Sequence, residues 1–344
     1  MQELTDHVSN GGELSLDQIE SAAQQLLDEA ADIAAKADFL KAFAARGESP
    51  AEIAGFVDAF LKRAVDPGLS AADVDGPLLD VCGTGGDKLN LFNVSTTCIF
   101  VLAAAGIAVV KHGNRGITSK SGGADVLEAL GIRIDLPPDE FAACVKKTGL
   151  GFLFAQKYHP AFKAVGPVRA QLAKEGQRTV FNILGPLLNP VRPDFQLIGV
   201  FSPELPPVFA SILEKLGRKQ AWAVHGTTAD GRPMDEFSTL GKTFVAKTGS
   251  SEIETVDPAA LGFAAPQIEQ LLGGEADENA KILTAILDGT DRGPMRDIVV
   301  LNAAAGLVIT GKAPNLEAGI ILAGKLIDSG AAKAKLEALQ NFKP

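Results

Sequence analysis

Asp80-Val81-Cys82-Gly83-Thr84-Gly85-Gly86-Asp87 and, a strand and a helix later, Lys111-His112-Gly113-Asn114-Arg115 are the stretches around which this chain is organised. Each closes a short apolar run, 77–82 and 106–110, that reads as a buried strand, and each precedes residues able to start a helix. A strand that runs through glycines into a helix makes an anion cradle. Glycine lets backbone N–H groups close on phosphate oxygens, and the helix N-terminus adds positive potential. Taken alone, Gly83 to Gly86 could equally be a packing turn. The second loop continues into Ser119-Lys120-Ser121-Gly122-Gly123, and a cationic loop with hydroxyls and glycines is hard to explain by packing. Two such loops predict a ligand with more than one phosphate group.

Outward from these loops the pattern alternates strand, turn and helix. Strands are expected at 78–82, 107–110, 150–155, 197–201 and 220–225, with helices at 96–105, 124–130, 161–175 and 206–216. A rigid turn is expected at 182–190 and a polar loop at 226–237; short strands at 243–246 and 253–256 can pair. Helices at 278–288, 294–311, 314–328 and 330–340 complete the chain. This alternation predicts an α/β fold with a mostly parallel sheet flanked by helices.

Upstream the signals are all helical. Residues 1–14 read as a poorly ordered polar arm. Ser15 with Gln18, and Ser49 with Pro50 and Glu52, are capping boxes, and a helix between them ends at Gly47. Residues 1–70 are therefore expected to form a small helical domain, joined through a linker at 65–76 to a large α/β domain over 71–344.

The composition narrows the function. The chain has 344 residues, 46% hydrophobic, ample for a core. Its 32 Lys and Arg against 42 Asp and Glu give a net charge of −10, which argues against non-specific nucleic-acid binding. The useful cations are local, and they sit in the glycine loops. Three cysteines, Cys82, Cys98 and Cys144, lack metal-site spacing, and Cys82 and Cys98 read as buried small hydrophobes. With no secretory signal and no apolar run near the ~20 residues that span a bilayer, a cytoplasmic protein is expected.

Four further features carry chemistry. Asn93-Val94-Ser95-Thr96 starts the helix after the first loop; Asn93 or Ser95 suits a plain cap, but either could also face phosphate, and Ser95 could ligate a metal. Asp235-Glu236 suits a solvated surface pair or, beside a polyphosphate, a Mg²⁺ holder. Arg169 could form a surface ion pair or grip an acidic substrate in a bidentate fork. His112 and His159 suit structural or positioning roles better than acid–base work, and His7 and His225 carry no usable signal.

In order along the chain, DVCGTGGD (80–87), NVST (93–96), KHGNR (111–115), SKSGGAD (119–125), NILGPLLNP (182–190) and Met234-Asp235-Glu236 resemble the anthranilate phosphoribosyltransferase family. The resemblance covers nearly the whole chain. It implies a small helical domain and a large α/β domain with the site in the cleft between them, part of 170–190 rejoining the small domain, and a homodimer formed through that domain. It implies phosphoribosyl pyrophosphate (PRPP) along Gly83, Gly86, Asp87, Asn93, Val94, Ser95, Thr96, Lys111, His112, Gly113, Asn114, Arg115, Ser119 and Gly123. Mg²⁺ would be held by Ser95, Asp235 and Glu236, and anthranilate would touch Gly83, Asn114 and Arg169. Lys111 and Arg169 would act by charge and positioning, and no acid–base catalyst is required.

The chain departs from that pattern at Leu91, where a threonine is common, at Gly116 and Gly123, and in a longer link over 170–177. A pyrimidine nucleoside phosphorylase of the same fold would not need Asp235-Glu236. A non-catalytic nucleic-acid-binding relative should show degraded glycine loops and a basic surface. A transferase for another aromatic acid also remains compatible with the sequence.

Overall fold

The computed structural model describes residues 1–116 and 120–343. Four helices, α1 (Gln2–Ser9), α2 (Leu16–Leu26), α3 (Ile33–Arg46) and α4 (Pro50–Leu61), open the chain as a bundle. Both capping boxes are present: the Ser15 and Ser49 hydroxyls accept the Gln18 and Glu52 amides, and those side chains accept the serine N–H groups. The expected polar arm at 1–14 is instead ordered. Its helix α1 buries Leu4 and Val8, spaced one turn apart, in the core of the bundle. Glu52 is buried, pairs with Arg46 and accepts the Leu14 N–H at 2.8 Å, fastening the α1–α2 connection to α4.

Past a 3₁₀ turn at Ala71–Asp73, β1 (Leu78–Gly83), α5 (Val94–Ala104), β2 (Ala108–Gly113), α6 (Gly123–Ala129), α7 (Pro138–Thr148) and β3 (Leu150–Phe154) alternate. Helix α7 fills a stretch to which the sequence pattern assigns no element. Then come α8 (Ala155–Tyr158), a 3₁₀ turn at Pro160–Val165, α9 (Gly166–Lys174) and α10 (Phe181–Leu184). The expected rigid turn at 182–190 is thus partly helical, α10 passing into a 3₁₀ turn at Gly185–Leu187. The remainder is β4 (Phe195–Gly199), α11 (Leu205–Lys215), β5 (Gln220–Thr227), β6 (Pro233–Met234), β7 (Thr243–Lys247), β8 (Ile253–Val256), α12 (Ala276–Leu287), α13 (Pro294–Ile309), α14 (Leu316–Asp328) and α15 (Ala331–Gln340). The polar loop expected at 226–237 is corrected too. It carries β6 on the edge of β5, with Met234 and Phe237 fully buried. Its charged residues conceal two apolar anchors.

The sheet order is β3-β2-β1-β4-β5-β7-β8, with β6 also on β5. Strands β1 to β5 pair in parallel, and β7 and β8 extend the sheet antiparallel. The chain leaves β1 for β2 on one side and reaches β4 on the other, so β1 flanks the switch point where open α/β sheets bind ligands. Both glycine loops lie at the carboxyl ends of these strands. Strands β1 and β2 are in register only at Leu78↔Ala108 and Leu79↔Val109. Beyond that they part, and side chains take up the freed backbone groups. Asp80 accepts the His112 N–H at 3.3 Å, the Lys111 ammonium donates to the Val81 carbonyl at 2.6 Å, and Asn189 donates to the Val110 carbonyl at 2.7 Å.

Alternation along the strands divides the core. Trp222 and Val224 of β5 join Leu197 of β4 under α5 and α13, whereas Ala221, Ala223 and Ile198 face α11 and merge with the bundle interior. Val168 and Leu172 of α9 and Phe181 of α10 belong to that same second core. Lys36, buried in α3, donates to the carbonyls of Asp28 at 2.6 Å and Ala164 at 3.3 Å, joining the bundle to the segment that leads into α9. All three cysteines are buried and unbridged.

Candidate active site

The first glycine turn is held by an acid from the far side of the sheet. Asp235 accepts the Gly85 N–H at 2.6 Å, with Gly85 and Gly86 at φ of 69° and 90°, backbone that favours glycine. The turn can lie so close because three strand-end positions lack side chains. A Cβ on Gly83 would overlap the Asp235 carboxylate, one on Gly199 the Asp235 carbonyl, and one on Gly226 the Glu236 carbonyl. On the opposite side Asn302 of α13 takes both the N–H and the C=O of Phe237, each at 2.9 Å.

The neighbouring groups converge on the same place. Lys111, nearly inaccessible, donates to Ser95 Oγ at 3.2 Å as well as to Val81, and its charge faces Glu236. The Ser95 N–H, in the first turn of α5, also faces the Glu236 carboxylate. Burial first, then the charges of Asp87 and Glu236, push the Asp235 carboxyl well above its ordinary range. Burial, only partly offset by Lys111, raises Glu236 to about 7. Three carboxylates with one ammonium among them form a site short of positive charge.

The second loop is closed by Asp125, which accepts the N–H groups of Gly116 and Gly122, both at 2.8 Å. Gly122 lies against the backbone of 114–116, too tightly for a Cβ. Arg115 turns onto α6, pairing with Asp125 and Glu128 and lying over Phe154, so its guanidinium is taken up by protein. The Asn93 amide is also engaged: it donates to the Ser121 carbonyl at 3.1 Å and accepts from Asn279 at 2.9 Å. Thr96 is buried beneath Gly123, where a Cβ would come within 3.0 Å of its hydroxyl. The glycine at 123 thus lets α6 close on α5. Ser119 lies outside the described residues.

Arg169 and Asn114, expected at the acceptor, have other neighbours. Arg169 on α9 is solvent-exposed on one side and lies 5.5 Å over the Phe181 ring, with no carboxylate partner among the described residues. Asn114 Oδ1 accepts from the Arg115 N–H at 2.8 Å and from Gln156 at 3.3 Å. The His112 and His159 rings meet edge-on at 5.3 Å. Burial pushes His112 down to about 3, so it is a neutral imidazole at any working pH. The described contacts join the first turn, Ser95, Lys111 and the acid pair, but they do not tie Arg169 to that group.

The departures from the family pattern have local explanations. Leu91 bridges Leu272 antiparallel, flanked by the Phe92 N–H to the Leu271 carbonyl at 3.2 Å and the Gly273 N–H to the Asn90 carbonyl at 2.9 Å. In the longer link, α9 runs on to Lys174, and Glu175 pairs with Lys41 of the bundle at 2.6 Å.

Two family models cover the chain. The helical bundle domain of a glycosyl transferase family matches residues 2–64, and the α/β domain of that family matches 75–333. An anthranilate phosphoribosyltransferase of Thermomicrobium roseum is 45% identical over 95% of this chain and 92% of its own length. One from Petrotoga mobilis is 42% identical over 97% and 94%. The chain belongs to the anthranilate phosphoribosyltransferase family. Among solved structures, anthranilate phosphoribosyltransferase from Thermus thermophilus superposes with a TM-score of 0.89 at 39% identity, covering 98% of both chains. The Saccharomyces cerevisiae anthranilate phosphoribosyltransferase in complex with PRPP and Mg gives 0.86 at 28% identity, over 98% of this chain and 96% of that one.

In this anthranilate phosphoribosyltransferase family member the sequence left several structural supports unread. Gln156, Gly199, Gly226, Asn279 and Asn302 all hold or make room for the expected site residues. For Asn302 a signal existed, a lone amide inside the apolar helical run 298–309. For Gly199 and Gly226 the signal was a glycine at the end of a strand, as at Gly83.

Proposed function

We propose that the protein transfers the 5-phosphoribosyl group of PRPP to the amine of anthranilate, giving N-(5-phosphoribosyl)anthranilate and pyrophosphate. The observation that carries this reading is the convergence of the first glycine turn, the α5 N-terminus, Lys111 and the acid pair at the carboxyl ends of β1 and β4. PRPP lies along Gly83 to Asp87, Asn93 to Thr96 and the second loop. Gly86, Val94 and Gly113 offer backbone there, and Asn93 and Arg115 shape the loop through their protein partners.

The residues present fit Mg²⁺. Carboxylate and hydroxyl oxygens are its preferred donors, and the one charge of Lys111 does not balance the crowded acids. Among the described residues no three His, Cys, Asp or Glu side chains form a ready-made site, so Ser95, Asp235 and Glu236 would hold the ion together with phosphate oxygens. When bound, Mg²⁺ supplies charge stabilisation to the departing pyrophosphate. Lys111 adds a fixed positive charge from beneath, and turn N–H groups other than those of Thr84 and Gly85, which the Gly199 carbonyl and Asp235 already take, would hydrogen-bond the developing anion.

On the other side, Arg169 and Asn114 orient the carboxylate of anthranilate, with Gly83 close to the ring. The aniline nitrogen attacks without needing a strong base, in keeping with a neutral, buried His112. Arg169→Gln is expected to raise the anthranilate KM by ~10–100-fold and leave the PRPP KM nearly unmoved, as befits loss of one charge-assisted pair. Equal rises in both constants would contradict this placement. The whole reading is tested by mixing protein, PRPP, Mg²⁺ and anthranilate and following anthranilate fluorescence; a steady signal would refute it.

Leu16 and Ile33, 76% and 43% exposed, stand bare on the bundle, where a second copy would cover them in a homodimer. Sedimentation of Leu16→Glu against the parent checks this. Three buried, unbridged thiols suit the reducing cytoplasm. Among the described residues no helix is long and apolar enough to cross a membrane.

A further inference from the structure

Helix α13 is buried along most of its length, and one polar amide interrupts its apolar run. Asn302 has no exposed surface. A buried amide costs stability unless it is bonded, and this one is. Its Oδ1 accepts the Phe237 N–H at 2.9 Å, and its Nδ2 donates to the carbonyls of Phe237 at 2.9 Å and Ile298 at 2.8 Å. The two bonds to Phe237 grip one residue by both its backbone groups, much as a neighbouring strand would. That residue directly follows Glu236.

We infer that Asn302 is a positioning residue: it clamps the backbone behind Asp235-Glu236 and so sets where the two carboxylates point. The inference rests on the reading of this pair as the holder of a divalent cation. On the sheet side Met234 pairs with Gly226 of β5 just before the acids, and Ser238, just after Phe237, donates to the Thr227 carbonyl at 2.6 Å, while Gly83, Gly199 and Gly226 leave the segment room. From the helix side Asn302 adds two bonds on the residue that directly follows Glu236, with Met234 and Phe237 buried to either side of the acids. Groups behind the ligands of a metal ordinarily govern its affinity by orienting them.

The test uses the full-length protein with PRPP and Mn²⁺ as the probe, free Mn²⁺ being read by its paramagnetic resonance signal. Asn302→Leu, close in volume, removes the clamp. Asn302→Asp keeps the acceptor, loses both donors, and serves if the leucine variant does not fold. Either is expected to weaken Mn²⁺ binding ~10–100-fold. Hydrogen exchange at the Phe237 amide should quicken, and the anthranilate KM should stay unmoved. Leu307→Ala, a cavity in the same helix, should lower the melting temperature and leave Mn²⁺ binding as it was. If the parent binds no ion that Asp235→Asn with Glu236→Gln abolishes, the reading of the acid pair fails and the inference with it. If that double variant loses the ion while the Asn302 variants titrate like the parent, the clamp alone is overturned.

Discussion

Asp235→Asn combined with Glu236→Gln is expected to lose phosphoribosyl transfer by ~10³-fold and yet melt higher than the parent in the absence of metal. The two effects share one cause. Asp235, Glu236 and Asp87 crowd a desolvated turn, and Lys111 already serves Val81 and Ser95. Neutral isosteres relieve the repulsion while still accepting the Gly85 N–H, a gain of ~1 kcal/mol and about 2 °C for a chain of this size. The activity falls because the two charged ligands proposed to hold the divalent ion against the leaving pyrophosphate become neutral. Calorimetric melts with and without MgCl₂ and PRPP, beside the fluorescence assay, check both halves. A double variant that melts lower than the metal-free parent, or turns over at the parent rate, would sink the argument.

Gly199→Ala is the second large effect. Its backbone is ordinary strand, paired with Gly83 and Val224, so the added methyl suffers no conformational penalty. Space is what it lacks, because the Cβ falls on the Asp235 carbonyl, and backbone cannot swing aside as a flexible side chain can. A loss of ~3 kcal/mol is expected, together with a displaced acid pair and a raised Mg²⁺ requirement. Gly166→Ala is the counterpart. There φ is −54° and nothing beyond the chain neighbours lies within 4 Å, so only the following Pro167 opposes a Cβ and alanine should change stability by less than about 1 kcal/mol. Urea unfolding of the two variants compares them directly; equal midpoints would show that the close approach at Gly199 is not a constraint.

These cases mark where the sequence was legible. The capping boxes at Ser15 and Ser49, the strands before each glycine loop and the acid pair could be found because their causes lie within a few residues of one another. Helix α1 was missed because only Leu4 and Val8 mark it and the bundle supplies the rest of its stability. The 226–237 segment looked polar because Met234 and Phe237 are outnumbered, although they decide its burial. The first glycine turn and the acid pair beside it were thus readable, whereas the groups that support them were not. Asn279 reaches Asn93, and Asn302 reaches Phe237, across distances in sequence that no local pattern can register. For Lys111 the sequence suggests charge and positioning at the ligand, but not its bond across the gap where β1 and β2 part.

The interior shared by the bundle, α9, α10 and one face of β4 and β5 bears on how such chains can be recombined. A graft that exchanged only residues 2–64 between relatives would meet Val168, Phe181, Phe209 and Ala223 with a foreign surface. The four N-terminal helices and these scattered counterparts form one inheritance unit, although 100 or more residues of chain separate some of its members. A chimera should express in soluble form only when α9 to α11 travel with the bundle.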